Sequence, residues 1–179
     1  MKNMLNRKKG FSLIETVVGL SIVILSVVSV IGLLTKGIFA TGLARDQVIA
    51  GYLAQDALEF VVTKVREDFL QDPNGAWLRN FDPECKNGNK GCYINTSAFG
   101  SESILKCIGS PCPVLQYNQN QQLYGYGVGG DWVNTKFTRE VVVEEVVSDV
   151  EARVTVTITW DTRISQKSIV LETNIFHAL

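Results

Sequence analysis

Glu15 is the only charged residue between Lys9 and Lys36, and it stands at the mouth of an almost purely hydrocarbon run from Thr16 to Leu34. An ionised carboxylate placed in a bilayer core costs a few kcal/mol on insertion scales, so such a residue marks function and calls for a counter-charge. The counter-charge that the neighbouring residues suggest is an amine. A cut after Gly10 would turn Phe11 into a new N-terminal amino group, close in sequence to Glu15. Equivalent chains packed side by side could then pair the amine of one with the carboxylate of the next.

The residues Lys8-Lys9-Gly10-Phe11-Ser12-Leu13-Ile14-Glu15 combine a short basic leader, Gly before Phe, Glu at the fifth position after that Gly, and an uninterrupted apolar helix pattern. This combination resembles the processing site of type IV prepilins and the related secretion-system pseudopilins, and the resemblance covers residues 7–34. It implies that a membrane-embedded aspartyl prepilin peptidase cuts between Gly10 and Phe11 and methylates the new amine of Phe11, and that Glu15 serves assembly. Ser12 stands where Thr is commoner in that family. An uncleaved signal anchor is the plain alternative, and it leaves Glu15 unexplained.

Other residues offer weaker chemistry. Cys85, Cys92, Cys107 and Cys112 lie together in a Pro-, Gly- and Asn-rich stretch. An even count in an exported domain favours disulfides, and four cysteines allow three pairings. Cys85–Cys92 with Cys107–Cys112 is preferred, since each closes a short loop containing Gly or Pro. The C-x6-C and C-x4-C spacings fit zinc knuckles poorly, and free thiols remain the alternative in a host without oxidative folding. His177 is the only histidine and reads as a strand-end residue rather than a base. No nucleophile-elbow or zinc-protease motif occurs, so an enzyme is not expected. The glycine run from Gly125 to Gly130 lacks the strand–helix unit of a phosphate loop and reads as a hairpin or tight loop. Asn95-Thr96-Ser97 matches a glycosylation sequon, a pattern that also arises by chance. No cofactor is expected. Calcium held by Glu59, Glu67 and Asp68 of the helix and by Glu144 and Glu145 of the strand, together with loop carboxylates, is the minor alternative to solvated carboxylates. Trp160 is in register with a core face; for Trp77 and Trp132 the sequence leaves core and adhesive surface open.

The bulk numbers agree with an anchored exported protein. The 17 basic residues include four, Lys2, Arg7, Lys8 and Lys9, in the leader, and of the 18 acidic residues only Glu15 precedes Lys36. Residues 36–179 are therefore acidic and carry no basic cluster to attract nucleic acid. The leader's charges should stay cytoplasmic and everything after Thr35 should lie outside. The apolar run is long enough to span a core of ~30 Å.

These residues need elements to place them. After Lys36 the apolar pattern narrows to one stripe through Ala50, Ala54, Ala57, Leu58, Val61, Val65 and Phe69, with Asp56, Glu59, Thr63, Arg66 and Glu67 across from it. That is amphipathic-helix spacing. Asp72-Pro73-Asn74-Gly75 stops it. One helix over 12–70 would run roughly 85 Å at 1.5 Å per residue. Gly32, Gly37 and Gly42 near the membrane exit suit either a bend or close helix packing. From residue 123 the pattern is of strands: 123–128 as a candidate, then 137–147, 154–160 and 168–176, joined by short turns into an antiparallel meander. Residues 116–122 read as a loop. The expected parts are a leader (1–10), a transmembrane and assembly helix (11–35), its amphipathic continuation (36–71), a cysteine-containing irregular region (72–122) and a sheet (123–179), with 36–179 forming one head. The fold class is α+β, a long N-terminal helix packed against a C-terminal antiparallel meander, as in pilins. Phe137-Thr138-Arg139 followed by the Val154–Trp160 strand is similar to the C-terminal half of minor pilins and minor pseudopilins.

The expectation is a minor pilin assembled into a type IV pilus or pilus-like filament. A minor pseudopilin of type II secretion is the alternative within the superfamily, and a filament-tip module for adhesion or DNA uptake the alternative of another class. The resemblance implies as partners the prepilin peptidase, other pilin subunits, an inner-membrane assembly platform with its ATPase, and the membrane before assembly. It places the head outside the cytoplasm.

Overall fold

The structure is a computed structural model that describes residue 10, residues 12–73, 75, 77–79, 81, 83–86, 91–95, 104–109, 111–162 and 165–177. The expectations for residues 1–9 and for Phe11 lie outside the described residues. The chain divides into two compact units between Arg45 and Asp46, where the sequence placed the boundary near Lys36. The helix α1 (Leu13–Gln71) contributes to both.

In the first unit α1 is built from residues with no interior Pro, and its apolar side chains are exposed on every side. The hydroxyls within it do not face outward unsatisfied. Thr16 donates to the Leu13 carbonyl at 2.7 Å, Ser21 to Val17 at 2.8 Å, Ser29 to Leu25 at 2.6 Å and Thr35 to Ile31 at 2.9 Å. Such back-bonding hides polar groups inside the helix, as an apolar medium requires.

The second unit is an α+β sandwich. Among the described residues its antiparallel sheet comprises seven strands, β1 (Cys92–Ile94), β2 (Ile104–Lys106), β3 (Val114–Asn118), β4 (Leu123–Gly125), β5 (Trp132–Val147), β6 (Glu151–Asp161) and β7 (Gln166–Phe176). A short helix α2 (Pro83–Lys86) precedes β1. The long strand β5 organises the sheet: β6 pairs along one side and β7 follows, while β3 and β1 share the other side. Period-two alternation puts Phe137, Arg139, Val141 and Val143 of β5 and Ala152, Val154, Val156, Ile158 and Trp160 of β6 on the buried face. The α1 stripe of Ala50, Leu53, Ala54, Ala57, Val61 and Val65 covers that face. Its small side chains let helix and sheet approach closely.

The region read as irregular carries β1, β2, α2 and all of β3. Gln116, Tyr117 and Asn118 are strand residues, which corrects the loop expected over 116–122. Their polarity misleads because cross-strand partners satisfy it. The Gln116 amide donates to Asn134 Oδ1 at 3.0 Å and accepts from the Gly127 N–H at 3.0 Å. Asn118 Oδ1 accepts the N–H groups of Asn120 and Gln121 in the turn that follows. Tyr117 packs on Tyr124 of β4, with ring centroids 5.0 Å apart. The strand β4 ends at Gly125, earlier than expected, and the Trp132 ring lies against Gly127, where a Cβ would fall within the indole.

Candidate functional site: the apolar helix and its carboxylate

Glu15 lies in the first turn of α1, where its own N–H and that of Thr16 reach back to the Ser12 carbonyl at 3.0 and 3.2 Å. The helix N-terminus carries partial positive charge, so a carboxylate is favoured there. Around and beyond it Leu13, Ile14, Val17, Val18 and Leu20 are all more than half exposed. Gly10 is exposed, with open space where a side chain would sit. Among the described residues no ion pair reaches Glu15. The helix is long and apolar enough to cross a membrane by length and composition. A solitary carboxylate therefore sits on a predominantly hydrocarbon surface that carries no other charge before Lys36.

The second unit holds the groups the sequence singled out elsewhere. Cys85 pairs with Cys92 and Cys107 with Cys112, at Cα separations of 5.5 and 4.9 Å. The first bridge ties α2 to β1 and the second closes the turn after β2. His177 follows β7. Its N–H donates to the Val150 carbonyl, its Nδ1 lies 2.9 Å from the Asp149 carbonyl, and its ring stacks on Trp77 at 5.3 Å. Trp77 is thus a buried residue, and Trp160 is in the core, while Trp132 is partly exposed. Asn95 uses both ends of its amide on the Tyr126 backbone, donating to its carbonyl at 3.0 Å and accepting its N–H at 3.2 Å. Its side chain is therefore held inward rather than offered to a sugar. Glu67 pairs with Lys64 at 3.2 Å, Asp68 is buried, and Glu144 stands opposite Arg153. The structure does not bring these carboxylates together. Among the described residues no cluster of three or more His, Cys, Asp or Glu could hold a metal ion.

One site residue escaped the sequence reading as a functional group. Arg139 is fully buried on the core face of β5. It donates to Asp56 Oδ2 at 2.8 Å, the Leu53 carbonyl at 3.4 Å and the Ile94 carbonyl at 2.7 Å, so one guanidinium joins α1, β5 and β1. The signal was present: a cation at a position whose neighbours two residues away, Phe137 and Val141, both face the core. Beside it Tyr126 packs edge-on against Tyr93 at 4.7 Å. Burial pushes the Tyr126 phenol up to about 12, against the opposing pull of the Arg139 charge.

Fold and site together define an α+β protein whose N-terminal helix is of membrane-spanning length and carries one carboxylate in its first turn. Comparison with known protein families, with curated proteins and with solved structures finds no match to this chain.

Proposed function

We propose that this chain is a structural subunit, a minor pilin, assembled into a type IV pilus or pilus-like filament after prepilin-peptidase processing. The observation that carries the reading is the lone Glu15 in the first turn of a helix that carries no other charge before Lys36, five residues after Gly10. Cleavage after Gly10 supplies an amine at Phe11. The carboxylate of one subunit meets the methylated amine of the next, and the exposed apolar side chains exchange lipid for sister helices. Before assembly the chain is a single-pass membrane protein with its sheet domain outside the cytoplasm. Its partners are the peptidase, other pilin subunits, and the inner-membrane platform with its ATPase.

The test compares wild type with Glu15→Ala in membrane and sheared-fibre fractions, with the N-terminus of each read by mass spectrometry. The wild-type chain should begin at a methylated Phe11. The variant should insert and be cleaved, because a costly polar group is gone and the scissile bond is untouched. It should be depleted from fibres, since an amine left buried without its counter-charge costs about 3–5 kcal/mol. Normal amounts of Glu15→Ala in fibres would remove Glu15 from the mechanism, and a mature chain starting elsewhere than Phe11 would remove the processing site.

A further inference from the structure

The strand β7, eleven residues from Gln166 to Phe176, is an edge of the sheet among the described residues. It pairs with β6 through its whole length, and no described strand pairs with its other side. Edge strands are normally blunted by brevity, bulges, proline or inward charge. This one has none of the first three, and its single lysine, Lys167, lies at its start. The His177 N–H turns inward to Val150. Antiparallel alternation then gives the odd-numbered residues to β6 and leaves the N–H and C=O groups of Ser168, Val170, Glu172 and Asn174 at the open side. At the C-terminal end of that row, beside residues 173–177, lies a groove of about 500 Å³ between the edge and the helix, walled by Val62, Phe69, Ile175 and His177, with Arg66 at its side. Arg66 is exposed and forms no ion pair among the described residues.

We propose that β7 and the groove accept an extended peptide segment of a partner protein as an eighth strand, with an apolar residue entering the groove and an Asp or Glu meeting Arg66. Strand addition to an edge takes its affinity from main-chain hydrogen bonds and its specificity from alternate side chains, and here both features lie side by side. A second copy of this chain pairing through its own β7 does not fit the charge. The helix-side residues of its β7, from Lys167 through Ile169, Leu171 and Thr173 to Ile175, bring a lysine and no carboxylate toward Arg66.

The full chain in detergent micelles, disulfides intact, is immobilised and used to select phage-displayed random peptides, with Val170→Pro protein as the counter-target. Proline at an outward N–H position of an edge strand is compatible with the fold and removes a docking hydrogen bond. Selected peptides should alternate apolar and polar residues around an Asp or Glu. Their affinity should fall about ten-fold or more on Val170→Pro and on Arg66→Glu. Peptides in which that acid is replaced by Lys should bind Arg66→Glu better than wild type. Glu172→Pro serves as the second edge variant if Val170→Pro melts early. No enrichment over the counter-target, or binding that survives both the edge proline and Arg66→Glu, would overturn the proposal.

Discussion

Among single residues, Arg139 bears most on the fold, and its partners decide how. Two of its three acceptors are main-chain carbonyls, of Ile94 and Leu53, that no substitution at Arg139 can remove. The third, the Asp56 carboxylate, has a side chain 50% exposed and can return to water. Arg139→Ala leaves a cavity and takes the side-chain donor from the Ile94 carbonyl, and should cost about 3–5 kcal/mol. Arg139→Met refills the volume and should recover roughly half of that, whereas Asp56→Asn should cost under about 1 kcal/mol because solvent screens the pair. Urea unfolding of the three variants ranks them, and an Asp56→Asn loss equal to that of Arg139→Met would mean that the ion pair, not the carbonyl clasp, matters. Tyr126 adds a pH dependence. Its phenol is raised from 10.0 to about 12 in the folded chain, so above pH 10 the unfolded chain gives up a proton that the folded chain keeps. Stability from this group is complete below pH 10 and is lost as pH rises to 12, by about 2–3 kcal/mol in all. Tyr126→Phe should flatten that alkaline decline while leaving the neutral-pH midpoint nearly unchanged, and an unaltered decline would assign it elsewhere.

Elements differ in how their stability arises, and in how openly the sequence displays them. Helix α1 and strands β5 to β7 are legible because apolar residues recur at the helical or strand period, and burial of one face follows directly from that period. The strands β1 and β2 are three residues each, too short to show a period, and β3 hides its strand character behind amides that pair across strands. The buried side of Arg139 follows from alternation, but its acceptors lie 86 and 45 residues away and no local pattern names them. Glu15, by contrast, is conspicuous because no other charge stands between Lys9 and Lys36. The short elements lean on the disulfides. On the chain-entropy relation each closes a loop small enough to contribute only about 2 kcal/mol. Reduction should therefore strip amide-exchange protection from β1 and β2 while β5, β6 and β7 keep theirs. Loss of protection across the whole sheet on reduction would show that the bridges hold the core and not its margin.

For the whole molecule, the division between Arg45 and Asp46 separates two kinds of surface. No described residue before Ala50 is buried, so the first unit contributes nothing to the hydrophobic core. Its exposed leucines, isoleucines and valines are instead a liability in water and a fitting surface for lipid or for helices like itself. Residues 46–179, expressed without the first unit, should fold as a soluble monomer with a cooperative thermal transition. Cutting the helix there creates a new N-terminus, which would ordinarily fray. Asp46 is suited to limit this, since Asp is a favoured N-cap residue and its carboxylate already pairs with Lys136 of β5 at 2.5 Å. The stability of the fragment should lie within about 1 kcal/mol of the corresponding transition in the full chain, as expected when only surface residues are removed. The full chain should need detergent to remain dispersed, and the fragment should not. Circular dichroism melts and size-exclusion chromatography of both decide the matter. A fragment that is soluble but lacks a cooperative transition would mean that residues 1–45 are required to form the α1–sheet core, which the burial pattern contradicts.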